Sequence, residues 1–303
     1  MKSIATKVIL FLLISGIFNL LEFDNIAKAN LEENAIVMQI WPESALGDNA
    51  GVETEKNMPS RGDGVIRISD ITAPSITIYK PSQIKDKTPA VVICPGGGYN
   101  YVTFNKEGSR IAEWLNLLGI TGIVLKYHTP NQRDNAFKDI QRAIRVVRHN
   151  AEEWNIDSKQ IGAIGFSAGG HLCARVSGDF ENKFYEPVDE LDSISCKPDF
   201  TILIYPAYLY NGKGGLNEEI KVTSQNPRTF LIQTQDDVIG VENSIYYYLA
   251  LKKASVQSEM HIFPTGGHGY SMESDPKHTV SQWPKFCEQW LHQIGILQTN
   301  TIP

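Results

Sequence analysis

Residues 165–169 read Gly165-Phe166-Ser167-Ala168-Gly169, a G-x-S-x-G pentapeptide. The apolar segment 160–165, which has the character of a strand, runs directly into it, and a helix-like segment begins at Ala168. A G-x-S-x-G sequence between a strand and a helix predicts a sharp turn that projects the serine hydroxyl above a sheet. The flanking glycines are needed because bulkier residues would clash with the strand and the helix. Ser167 is therefore the candidate nucleophile.

Strand-like and helical segments alternate on both sides of this turn. The predicted strands cover residues 65–69, 75–79, 90–94, 122–127, 160–165, 200–205, 229–234 and 259–263. The predicted helices cover residues 107–118, 136–154, a stretch from 168, 242–254 and 282–294. This order predicts the α/β class, with a mainly parallel central sheet covered by helices on both faces.

The composition is that of an ordinary globular protein. Its 303 residues are 42% hydrophobic and 20% charged, which excludes a disordered, collagen-like or coiled-coil chain. The formal net charge is -6 and no run of Lys and Arg stands out, so we expect no nucleic-acid partner.

The first 29 residues have the pattern of a secretory signal peptide. Lys2 and Lys7 precede an apolar stretch, and Ala27-Lys28-Ala29 resembles a small-x-small cleavage site. The apolar stretch of about 14 residues is shorter than the roughly 20 needed to span a bilayer. We therefore predict a signal peptide at 1–29, a single catalytic domain at 30–303, export to the periplasm or the medium of a bacterium, and no stable membrane insertion.

Two features of the remaining chain have more than one interpretation. Cys94 and Cys173 are predicted to be small buried core residues, whereas Cys196 and Cys287 are either joined by a disulfide or both free. The acidic segment 178–198 is longer than an ordinary connection. It is either a lid or wall over a site or a plain surface excursion.

A serine nucleophile needs a base within hydrogen-bond reach and a carboxylate that orients the base. His268 lies in Gly266-Gly267-His268-Gly269, directly after the strand at 259–263, and is the candidate base. His171, one helical turn beyond Ser167, is predicted to be a core histidine. The acid is expected at a strand end between nucleophile and base, where Asp236-Asp237 follows the strand at 229–234. Consecutive side chains diverge there, so only one of the two carboxylates can face the imidazole.

The glycine run Gly96-Gly97-Gly98 follows the strand at 90–94. Its backbone amides can approach a developing oxyanion, and we predict an oxyanion hole formed by Gly97, Gly98 and Ala168. A phosphate-binding loop is excluded because the Lys-Ser/Thr ending is absent, and a dinucleotide fingerprint because the spaced third glycine is absent. No cluster of His, Cys or carboxylates has metal-ligand spacing, so no metal is predicted.

These motifs together resemble the α/β-hydrolase superfamily and, within it, the secreted carbohydrate esterases described as acetyl xylan esterase-like. The stretches that carry the resemblance are Ile40-Trp41-Pro42, Pro95-Gly96-Gly97-Gly98-Tyr99, Glu107-Gly108, Ala112-Glu113-Trp114-Leu115, Leu125-Lys126-Tyr127, Gly165 to His171 and Gly266 to Gly269. In such relatives the acid begins a pattern like D-x-V-x-x-V-E, which implies Asp236 as the triad acid. The sequence departs from the family at His128, where Arg is expected, and at Gly240, where Pro is usual.

The resemblance implies a serine esterase that removes acetyl groups from acetylated, xylan-like plant or algal carbohydrate, without a cofactor. A feruloyl or general carboxylester hydrolase would use the same triad, and a non-catalytic carbohydrate-binding relative is a third alternative. Glu107 is expected to cap or buttress its helix near the oxyanion hole. Four loop tyrosines at the carboxyl edge of the sheet are candidates for stacking on sugar rings, with packing under the loops as the alternative. These tyrosines are Tyr99, Tyr101, Tyr208 and Tyr210.

Overall fold

A computed structural model describes residues 35–46, 54–82, 86–182 and 184–298. The predicted signal peptide at 1–29 lies outside these residues. No helix in the described ranges is both long and apolar enough to cross a membrane.

The strands follow the predicted order, with additions near the amino-terminal end. In chain order they are β1 Ile36–Gln39, β2 Lys56–Asn57, β3 Arg67–Ser69, β4 Ser75–Tyr79, β5 Thr88–Cys94, β6 Val102–Thr103, β7 Thr121–Lys126, β8 Ile156–Phe166, β9 Phe200–Ile204, β10 Arg228–Thr234 and β11 Ser258–Phe263.

The α-helices are α1 Glu43–Leu46, α2 Arg110–Leu117, α3 Arg133–His149, α4 Ala168–Gly178, α5 Glu242–Lys253 and α6 Trp283–Gln293. A π-helical turn, Asn105–Ser109, leads into α2, and 3₁₀ turns lie at Glu190–Ser193 and Thr279–Gln282.

The main sheet has the strand order β1-β4-β7-β5-β8-β9-β10-β11. Neighbouring strands from β7 to β11 pair in parallel, while β4 and β1 are added antiparallel at one edge. The β2, β3 and β6 strands form a separate small antiparallel sheet. The predicted α/β class with a mainly parallel sheet is confirmed.

The core lies on both faces of this sheet because its central strands carry buried apolar residues on both sides. Along β5, Ala90, Val92 and Cys94 pack into one cluster and Val91 and Ile93 into the other, all without solvent exposure. The first cluster also holds apolar residues of α3, α4 and α5, and the second holds those of α2 and α6. Helices therefore cover both faces, as predicted.

The structure differs from the sequence prediction at the edge of the sheet and in two local features. The strand at Ser75–Tyr79 is fully buried rather than half-buried, because Ile76 and Ile78 pack into one core cluster and Tyr79 into the other. The predicted helix at 107–118 begins instead with the π-helical turn. All four cysteines are buried and free, so Cys196 and Cys287 do not form a disulfide.

Candidate active site

Ser167 occupies the turn between the end of β8 and the start of α4. Its backbone has φ 52° and ψ −115°, a conformation that costs a non-glycine residue about 1–3 kcal/mol. The turn is held because the Ser167 amide donates to the Ile204 carbonyl at 3.1 Å. A Cβ on Gly165 would lie 2.2 Å from the Gly169 carbonyl oxygen, and one on Gly169 only 1.9 Å from that of Cys94. The two glycines of the pentapeptide are therefore required by close backbone packing.

The loop after β11 carries His268 to this serine. The His268 Nε2 atom lies 2.8 Å from Ser167 Oγ, and its Nδ1 atom lies 2.7 Å from Asp237 Oδ2. The Tyr205 ring packs edge-on against the imidazole, with ring centroids 4.9 Å apart. This chain of contacts has the geometry of a serine nucleophile, a base and an orienting carboxylate.

The carboxylate that faces His268 belongs to Asp237, which corrects the expectation of Asp236. Asp237 is buried, and its other oxygen accepts the Ile239 amide at 2.8 Å. The Asp236 side chain points away from the imidazole and accepts the amides of Gly267 at 2.8 Å and Gly266 at 3.1 Å. These two amides lower the pKa of Asp236 below its ordinary value. Asp236 thus holds the backbone of the histidine loop, and the two side chains diverge as predicted.

The glycine run presents backbone amides to the same place. Gly97 and Gly98 line the cavity that contains Ser167 and His268, with φ values of 138° and 64°. A Cβ on Gly97 would lie 2.0 Å from the Tyr101 carbonyl oxygen, so the turn requires glycine. The amides of Gly97, Gly98 and Ala168 donate to no backbone carbonyl within the described ranges. They are therefore free to donate to an oxyanion.

Glu107 holds the glycine loop in place through hydrogen bonds. Its buried carboxylate accepts the Gly96 amide at 2.7 Å, the Tyr205 hydroxyl at 2.6 Å and the Thr103 hydroxyl. Glu107 therefore buttresses the glycine loop and the ring beside His268, rather than capping its own helix. Tyr205 is a further residue of the site that the sequence analysis missed, because only its place after the apolar strand β9 marks it in the sequence.

His171 and Tyr99 form a second buried pair at the end of the glycine loop. His171 is buried, as predicted, and its Nδ1 atom lies 2.7 Å from the Tyr99 hydroxyl. On the other side of the ring, Nε2 lies 3.1 Å from a carboxylate oxygen of Glu219. Burial lowers the pKa of His171, and burial raises the pKa of Tyr99 well above its ordinary value. Both groups are therefore neutral near pH 7.

The cavity above Ser167 has a volume of about 660 Å³. Its lining mixes charged, amide and aromatic side chains, among them Asp63, Arg67, Asn100, Tyr101, Lys106 and Tyr208. Tyr101 and Tyr208 thus lie where the sequence analysis expected substrate contacts. The expectation fails for the other two tyrosines, since Tyr99 is 1% exposed and Tyr210 stacks on Tyr246 outside the lining. The segment 178–198 contributes no described residue to this cavity.

The sequence of this chain is similar to known protein families and to individual proteins. Residues 76–203 match the BD-FAE family, and residues 209–293 match the prolyl oligopeptidase family. An acetylxylan esterase of Xylanibacter ruminicola is 30% identical over 232 residues, which is 68% of this chain and 44% of that protein. Endo-1,4-beta-xylanase B of Butyrivibrio fibrisolvens is 31% identical over 215 residues, which is 62% of this chain and 33% of that protein. The chain thus spans less than half the length of these curated relatives.

Solved structures match over nearly their full length. An acetyl ester-xyloside bifunctional hydrolase from Caldicellulosiruptor lactoaceticus is 31% identical with a TM-score of 0.71, and the match covers 86% of this chain and 97% of that one. MGS-M1, an alpha/beta hydrolase from a deep-sea metagenome library, is 25% identical with a TM-score of 0.64, covering 76% of this chain and 96% of that one. With its parallel sheet, serine turn and facing histidine, the chain belongs to the α/β-hydrolase superfamily and is related to its acetylxylan esterases.

Proposed function

We propose that this protein is a serine esterase that removes acetyl groups from xylan-like carbohydrate through an acyl-enzyme. The observation that carries the proposal is the continuous contact from Ser167 Oγ through the His268 ring to Asp237, at 2.8 and 2.7 Å. This chain of contacts ends in a cavity beside backbone amides that have no carbonyl partner among the described residues.

In the first half of the reaction, Ser167 Oγ attacks the ester carbonyl while His268 Nε2 takes the serine proton. The buried Asp237 carboxylate stabilises the imidazolium and holds its tautomer through Nδ1. His268 then gives the proton to the departing sugar oxygen, and the acetyl group stays on Ser167.

In the second half, His268 takes a proton from water, and the resulting hydroxide attacks the acetyl-serine carbonyl. The proton returns to Ser167 as acetate leaves. The amides of Gly97, Gly98 and Ala168 hold the oxyanion in both halves, and each such donor contributes about 2.7–4 kcal/mol of transition-state stabilisation. Every step uses side chains and amides of this chain and water, so the proposal needs no cofactor.

The substrate class follows from two kinds of support. One related protein is named an acetylxylan esterase and one structural relative an acetyl ester-xyloside hydrolase. The cavity wall offers aromatic rings at Tyr101 and Tyr208 together with hydrogen-bonding groups, which suits the mixed surface of a sugar.

We also propose that residues 30–303 form one catalytic domain that is exported after removal of residues 1–29, because acetylated polysaccharide is an extracellular substrate.

The test is acetate release from chemically acetylated xylan and hydrolysis of a nitrophenyl acetate by the protein and its Ser167→Ala variant. The exposed Ser224→Ala variant is the matched control. We expect both activities in the control and neither in Ser167→Ala. Activity on the nitrophenyl ester alone would support the catalytic role of the triad. It would also indicate that the natural substrate carries another acyl group, as in a feruloyl or general carboxylester hydrolase. Activity on neither substrate would overturn the esterase proposal.

A further inference from the structure

Three sequence features that the triad does not use come together around a second cavity. Trp41 belongs to the family-like Ile40-Trp41-Pro42, His128 replaces an expected Arg, and residues 185, 186 and 188 lie in the long acidic segment. All of them line a cavity of about 300 Å³, at the lower end of the size range of small-molecule sites. The other lining residues are Ala45, Thr72, Asn135, Lys138 and Asp139. None of these residues lines the cavity above Ser167.

The second cavity lies at the same edge of the sheet as Ser167. Trp41 follows the end of β1 and His128 follows the end of β7, and these two strands run in the same direction because each is antiparallel to β4. The β5 strand, which leads into the glycine loop, is the parallel neighbour of β7. Both cavities therefore lie where strands of the same sheet end.

The base of the second cavity is a fixed hydrogen-bonded group. Asp139 has no exposure, and it accepts the Trp41 indole N–H at 2.7 Å, the His128 amide at 2.8 Å and a contact from His128 Nδ1 at 2.8 Å. These donors satisfy the buried carboxylate and set the orientation of both rings. Because the Asp139 carboxylate can only accept, His128 donates through Nδ1–H, and this contact fixes the orientation of the imidazole.

Residues 185, 186 and 188 of the acidic segment form one wall of the second cavity, and ion pairs and a hydrogen bond hold this segment in place. Arg142 is nearly buried and pairs with Asp189 and Asp192, while Arg145 donates to the Tyr185 hydroxyl at 2.6 Å. The Tyr185 ring in turn meets Trp41 edge to face, with centroids 4.8 Å apart. The long segment is thus one wall of the second cavity.

We propose that this cavity binds one or two sugar units of a neutral carbohydrate chain. Its lining combines the Trp41 and Tyr185 rings with the Asn135 amide, and it has one ammonium group and two carboxylates, those of Lys138, Asp139 and Glu186. Sugars match this mixture, since they have apolar ring faces and hydroxyls that both donate and accept hydrogen bonds. The choice of a xylan-like chain rests on the proposed function, whereas the existence of the sugar site does not.

The experiment is calorimetric titration of the Ser167→Ala protein with unacetylated xylohexaose, which measures binding without turnover. Two added substitutions probe the second cavity at exposed positions, Ala45→Arg to fill it and Glu186→Ala to remove a polar contact. Leu117→Arg, at an 87% exposed position of α2, is the control. We expect Ala45→Arg to weaken binding at least tenfold, Glu186→Ala to weaken it severalfold, and Leu117→Arg to leave it unchanged.

The same substitutions in the active protein give a second readout. We expect KM for acetylated xylan to rise while nitrophenyl acetate hydrolysis is unchanged, because the small ester does not reach the second cavity. No binding of xylohexaose, or equal binding by the Ala45→Arg and control proteins, would overturn the inference. If no acetate is released from any substrate but Ala45→Arg still abolishes xylohexaose binding, the proposed function fails and the sugar site stands.

Discussion

Asp236 and Asp237 hold His268 in place through different contacts. Asp237 contacts the imidazole itself, and Asp236 binds the Gly266 and Gly267 amides just before the histidine. The Asp237 amide donates to the Thr234 carbonyl at 3.4 Å, which bends the chain at the end of β10 and aims the second carboxylate inward. One residue therefore sets the tautomer of the base, while the other sets the path of its loop.

This division predicts unequal effects for two matched substitutions. Asp237→Asn removes the charge that stabilises the imidazolium, and loss of this function in serine hydrolases lowers kcat by about 10⁴-fold. Asp236→Asn keeps an oxygen that can accept one loop amide, so we expect kcat to fall less than about tenfold. Initial rates on nitrophenyl acetate at saturating substrate measure both. A larger loss for Asp236→Asn than for Asp237→Asn would contradict the assignment.

At the scale of elements, the π-helical turn at Asn105–Ser109 joins the glycine loop to the strand beside it. Its residue Glu107 accepts hydrogen bonds from Gly96 and from Tyr205, which lies just beyond β9 and packs on His268. Such π turns are rare in helices and are frequent at functional sites. A single buried carboxylate thus couples the loop that receives the oxyanion to the ring that supports the base.

We therefore expect Glu107→Gln to lower kcat by about 10- to 100-fold with little change in KM. The physical reason is the loss of charge-assisted hydrogen bonds, each worth about 1.5–3 kcal/mol, in a side chain of nearly equal size. Tyr205→Phe should change kcat in the same direction by a smaller factor, and Glu153→Gln at an exposed position is the control. Circular dichroism at matched temperature checks the fold. A Glu107→Gln protein that is folded and fully active would refute the positioning role.

The elements that the sequence predicted well are those with strong local signals. The continuous apolar run of β5 favours a strand buried on both faces, and the pentapeptide at Ser167 favours a sharp turn between a strand and a helix. The edge strand β1 was not predicted because its residues are largely exposed and its pairing with β4 is a long-range contact. The choice between Asp236 and Asp237 failed for a related reason, since the direction of a side chain at a strand end depends on the turn that follows it.

At the scale of the whole molecule, buried ionisable groups link folding to pH. His171 is enclosed between Tyr99 and Glu219, with the Arg133 and Arg175 cations close by. Burial is the largest cause that lowers its pKa, the two arginines lower it further, and Glu219 acts in the opposite direction. The pKa of Glu219 is lowered below its ordinary value, mainly by its contact with His171, so this carboxylate is charged near neutral pH. Near neutral pH, the folded protein therefore holds an uncharged imidazole beside a carboxylate.

The unfolded chain takes up a proton at His171 below about pH 6.5, whereas the folded protein does so only at lower pH. Stability from this group is therefore complete above pH 6.5 and declines as the pH falls toward the folded-state pKa, by at most about 1.4 kcal/mol per pH unit. Urea unfolding at pH 7.5, 6.5 and 5.5 measures the free energy of unfolding across this window. We expect His171→Gln to be less stable at pH 7.5 but to show a shallower decline between pH 6.5 and 5.5, while His149→Gln, at an exposed position, keeps the original slope. Equal slopes in the His171→Gln and unmodified proteins would show that the titration lies elsewhere, because replacing the His171 imidazole must remove its proton uptake.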